Sequence, residues 1–125
     1  MSFALYLAAV LAVAVGLAHS ILGERYILIR LFRRDDLPKL LGGTEFTTRT
    51  LRFAWHITTI AWWGFAAILV QLAERSVSLR SIALVVGTTF GVTAVITLAA
   101  SRGRHLAWVV FLVIGGTALY AAASW

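Results

Sequence analysis

The feature that most constrains this chain is four long apolar runs, 3–22, 53–72, 82–100 and 106–124, packed into 125 residues. A hydrocarbon core of about 30 Å takes about 20 helical residues to cross, and each run is close to that length. Backbone N–H and C=O groups find no partners in lipid, so a spanning segment must satisfy them internally as a helix or within a closed barrel. A barrel strand needs apolar and polar residues in alternation, and none of the four runs alternates. The expectation is an all-α membrane protein: a four-helix transmembrane bundle forming one integral membrane domain over residues 1–125.

Composition supports this reading. Apolar residues make up 61% of the chain and charged residues 13%. A soluble domain this small buries too little of its surface to hide that much apolar area, whereas lipid removes the difficulty. There is no cysteine, which excludes a disulfide framework and thiolate ligands. The run 3–22 has no basic residue ahead of it, and Leu17-Ala18-His19-Ser20 is a poor cleavage site, so it reads as a retained helix rather than a signal peptide.

The formal charge of +6 does not point to nucleic acid, because the basic residues lie in the connections between apolar runs. There they fix topology and meet anionic lipid headgroups. The basic loop 23–50 and its continuation to the second run carry Arg25, Arg30, Arg33, Arg34, Lys39, Arg49 and Arg52; Arg102 and Arg104 follow the third run. Nine basic residues therefore share one side, against Arg75 and Arg80 on the other. The positive-inside rule predicts an N-out/C-out protein of the bacterial inner membrane, both termini periplasmic.

The long first connection has structure of its own. Residues 24–34 mix apolar side chains with four arginines and either lie in the headgroup layer or extend the first helix. Pro38 and Gly42-Gly43 interrupt the chain, and Thr44 is the expected N-cap of a second helix that begins before the membrane. Arg33-Arg34-Asp35-Asp36 reads as a solvated loop.

Helical spacing aligns Glu45, Arg49, Arg52, His56, Thr59 and Trp63 on one face of the second helix. A polar stripe entering lipid must face protein or water. Within it, Glu45 and Arg49 have the spacing of an i, i+4 pair, and Arg52 is expected to extend toward the headgroups. On the first helix, Ala9, Ala12, Gly16 and Gly23 share a face with His19, and Gly87 and Gly91 form GxxxG on the third. Such small-residue faces let helices approach closely.

The candidate site is built on histidine. His19, His56 and His105 stand on three different helices, at similar depth on the arginine-rich side, with Glu24 close to His19. Imidazoles converging with a carboxylate suit a transition metal. Two imidazoles on opposite faces of a porphyrin would instead hold haem b, with Trp63 or Trp108 against the ring. No local metal motif such as HxxxH is present. Two other classes compete: an accessory or scaffold subunit of a larger membrane complex, whose stripe only packs helices, and a small transporter working as a homo-oligomer. In size the chain is similar to the small multidrug transporters, but their membrane-embedded Glu has no counterpart in the run 3–22.

Overall fold

The computed structural model describes residues 2–125 and is all-helical, with four helices long and apolar enough to cross a membrane. They are α1 (Ser2–Leu31), α2 (Glu45–Glu74), α3 (Leu79–Ser101) and α4 (Ala107–Ser124). At 1.5 Å per residue, α1 and α2 are each about 45 Å long, more than the about 30 Å of a bilayer core. The apolar and arginine-bearing residues after Leu22 therefore continue the first helix rather than leaving it.

That continuation is not uniform. Gly23–Leu28 is π-helical, a widened turn that re-aims the side chains within it. Leu28 turns inward and is only 2% exposed, while Tyr26 and Ile27 face outward. Single π turns inside α-helices are often found at functional sites, and this one contains Glu24.

After α1 the chain passes through an exposed loop, in which Arg34 pairs with Asp36 at 2.6 Å. The hydrogen bond from Arg34 holds the Asp36 carboxyl below its usual range. A tight reversal follows, closed by Leu40 and Gly43, with Leu41 and Gly42 at positive φ. Thr44 occupies the N-cap position of α2, but its side chain makes no capping bond. Thr47 instead ties the first turn to the loop by donating to the Pro38 carbonyl at 2.7 Å. Ser78 and Ser81 form a reciprocal capping box at the start of α3. The ends of α2 and α3 are closed by Ser76 N–H to Gln71 O and Gly103 N–H to Leu98 O, with Arg75 and Arg102 in the left-handed conformation. This is the Schellman arrangement.

The helices pack in sequence, α1 on α2, α2 on α3 and α3 on α4. Among the described residues no Cα of α1 lies within 8 Å of α3 or α4, so the row does not close into a ring. Short connections at 75–78 and 102–106 dictate antiparallel neighbours.

The tight contacts are made where side chains are smallest. A Cβ added to Gly115 of α4 would lie 2.9 Å from the backbone of Gly91 and 3.0 Å from that of Gly87. The GxxxG face of α3 thus receives the glycine of α4 directly. On α1, Gly16 lies under Trp63 and Gly23 under Trp55. The interior is otherwise thin. Leu7, Val10, Leu11, Val95, Val110 and Val113, among many others, are exposed along the sides of the row.

Candidate functional site

The α1–α2 seam concentrates the polar chemistry of the molecule, and it is ordered from the middle of the helices toward the arginine-rich end. At its inner limit the Trp63 indole approaches the Val13 carbonyl at 3.4 Å. One turn further, buried Thr59 donates to the Gly16 carbonyl at 3.0 Å and lies 2.8 Å from the Ser20 hydroxyl. Ser20 is 2.9 Å from Nδ1 of His56, whose Nε2 is 3.3 Å from the Glu24 carboxylate. Arg52 completes the chain with Nη2 at 2.9 Å and Nε at 3.2 Å from the two Glu24 oxygens. Its guanidinium lies over the Phe32 ring at 5.0 Å. One continuous network thus runs Gly16, Thr59, Ser20, His56, Glu24, Arg52, alternating between the two helices.

The other flank of the seam carries His19. Its ring stacks on Trp55 with centroids 4.4 Å apart and planes 2° from parallel, and Trp62 leans against it at 5.0 Å. The Trp55 indole donates to the His19 carbonyl at 3.0 Å. Thr58 donates its only hydroxyl proton to the Trp55 carbonyl at 2.6 Å. Nε2 of His19 faces that same carbonyl at 3.1 Å and Thr58 Oγ1 at 2.9 Å. A carbonyl only accepts, so hydrogen counting places a proton on His19 Nε2.

The three histidines have different partners. His105 packs between Phe46, stacked at 5.8 Å, and Phe53, edge-on at 5.1 Å. Its Nδ1 accepts the Ala107 N–H at 3.3 Å, so it serves the start of α4. His19 is engaged by Trp55 and Thr58, and His56 by Ser20 and Glu24. Among the described residues no group of three or more His, Asp or Glu side chains is arranged to hold a metal ion. The carboxylate of Glu24 is already paired with Arg52 at 2.9 Å. Nε2 of His19, the atom an axial ligand would present to an iron, is already turned to the Trp55 carbonyl and the Thr58 hydroxyl.

The stripe on α2 divides. Arg52, His56, Thr59 and Trp63 engage α1. Glu45 and Arg49 form their i, i+4 pair at 2.6 Å but turn toward α3, where Arg49 Nη1 donates to the Ala100 carbonyl at 3.4 Å. Arg102 stands 3.9 Å from Glu45 on the same side. Arg52 is held by Glu24, which lies in the π-helical segment.

Ser20, Trp55 and Thr58 are central to the site and were not singled out by the sequence pattern. The available signal was indirect. Ser20 and Trp55 each adjoin a candidate histidine, and Gly16 and Gly23 mark where large α2 side chains cross α1. No protein-family model matches the chain, no curated protein matches it, and no solved structure matches it.

Proposed function

We propose that this is an integral protein of a bacterial inner membrane that works through a proton-exchanging acid–base centre, Glu24 with His56, at the cytoplasmic end of the α1–α2 seam. The supporting observation is a count of hydrogens along the network. Thr59 gives its proton to the Gly16 carbonyl, so the contact between Ser20 and Thr59 needs the proton of Ser20. Ser20 then has none left for His56, and Nδ1 must supply one. Nε2 faces the Glu24 carboxyl group at 3.3 Å, and that link needs a hydrogen as well. It is supplied either by a second ring proton on His56 or, with a neutral ring, by Glu24, so one proton is shared between the two side chains. The network thus ties the proton on His56 to that on Glu24.

The test is infrared difference spectroscopy of the reconstituted protein as the pH is stepped between 5 and 8. The Glu24 carboxylate band is expected to shift together with an imidazole band, and both changes should be absent in His56→Gln. A carboxylate band indifferent to His56 would overturn the acid–base reading. The scaffold reading, in which the same bonds only fasten α1 to α2, would then hold.

Orientation follows from the nine-to-two distribution of Lys and Arg. A C-terminal reporter active only outside the cytoplasm should be active, and one active only inside should be silent. The opposite result would place Glu24 and His56 on the outer face.

A further inference from the structure

We infer that the outer flank of the α1–α2 seam is a binding groove for one anionic phospholipid, seated with its headgroup at Arg25 and Arg30. This inference uses residues other than the acid–base centre and stands apart from it. A groove of about 460 Å³ runs along α1 past Val15, Ala18, Leu22 and Tyr26, with Trp55 and Trp62 of α2 forming its other wall. From Val15 to Ile27 it extends about 18 Å at helical rise, close to the depth of one leaflet, about half of a 30 Å core. Its walls are apolar and aromatic along that length, which suits an acyl chain.

The charged end argues for the headgroup. Tyr26 closes the groove, and two guanidinium groups flank its ring, Arg25 at 5.5 Å and Arg30 at 5.8 Å from the centroid. Both arginines are exposed. Neither forms an ion pair among the described residues, since Glu24 is taken by Arg52 and His56, and Asp36 by Arg34. Two uncompensated guanidinium forks beside an aromatic ring at the headgroup level match a phosphodiester, whose oxygens accept them bidentately. A zwitterionic lipid brings its own cation into the same place and is held less firmly.

The experiment uses the full chain in phosphatidylcholine vesicles, with a fraction of either brominated phosphatidylglycerol or brominated phosphatidylcholine. Bromine in the acyl chain quenches indoles it touches, and Trp55 and Trp62 line the groove. Brominated phosphatidylglycerol is expected to quench with about thirtyfold higher apparent affinity, the order expected from two arginines near the headgroup plane. Arg25→Gln with Arg30→Gln should remove the preference. Arg75→Gln with Arg80→Gln, an equal loss of charge at the opposite end, should leave it intact. Trp62→Phe should diminish the phosphatidylglycerol-specific part of the quenching. Should the double glutamine variant fail to insert, Arg25→Lys with Arg30→Lys keeps the charge without the forks and is expected to weaken the preference severalfold. Equal quenching by the two lipids, or a preference that survives loss of both arginines, overturns the inference.

Discussion

Gly23→Ala is expected to weaken the α1–α2 pairing by about 2–4 kcal/mol, the sum of overpacking and one lost interhelical hydrogen bond. The added Cβ would lie 2.1 Å from Nε1 of Trp55 and 2.4 Å from its Cε2. A flexible side chain would move aside at little cost, but this indole is rigid and held on both faces of its role. It stacks on His19 and donates to the His19 carbonyl, so moving it breaks both contacts. Reversible unfolding in mixed micelles measures the loss. Two comparisons make the cause specific. Gly116→Ala, where an added Cβ meets nothing within 4 Å, should change stability by less than about 0.5 kcal/mol. In a Trp55→Ala background the cost of Gly23→Ala should nearly vanish, because the clashing group is gone. A cost that persists there would place the effect in the π turn itself and not in the contact with Trp55.

Much of this architecture could be read from the sequence because lipid imposes few solutions. Length, apolar content and the absence of alternation led directly to four helices, and the glycines at 16, 23, 87 and 91 marked the faces where helices approach. The polar stripe on α2 was visible for the same reason: a helix keeps residues three and four apart on one face, whatever surrounds it. Contacts between helices were not visible in that way. Depth in the membrane put His19, His56 and His105 in one layer, but depth leaves rotation about each helix axis free. The π turn at Gly23–Leu28 decides which way Glu24 points, and nothing in the spacing of residues 23–28 announces an extra residue in a turn. Glu24 was therefore paired in expectation with its sequence neighbour His19, whereas the widened turn delivers it to His56 and Arg52. His105 was drawn in by its depth and then captured by Phe46 and Phe53, two aromatic residues whose faces are set by α2. The order of packing was not visible either: among the described residues each helix meets only its neighbours in the chain, so α1 makes no contact with α3 or α4.

Because one set of bonds serves both packing and proton exchange, the two roles separate only if different links are cut. Thr59→Val removes the buried end of the network while keeping its shape. It leaves the Gly16 carbonyl and Ser20 without their partner at a residue only 3% exposed, and should cost about 1–2 kcal/mol of stability, near the upper range for interhelical hydrogen bonds. The Glu24 and His56 groups remain, so their infrared signals should still move together. Glu24→Gln cuts the other end. The amide oxygen can still accept from Arg52 or His56, and the ion pair it replaces is half-exposed, with Arg52 46% and Glu24 31% accessible. Such pairs contribute about 1 kcal/mol or less, so the fold should hold nearly as well as before. The carboxylate is gone, however, and with it the base that shares the proton of His56, so the coupled signal should disappear. The expected result is a crossing pattern: Thr59→Val loses more stability, and Glu24→Gln loses all of the proton-linked change. If the proton-linked change instead falls in proportion to stability across both variants, the network is a fastening between helices, and the acid–base proposal fails with it.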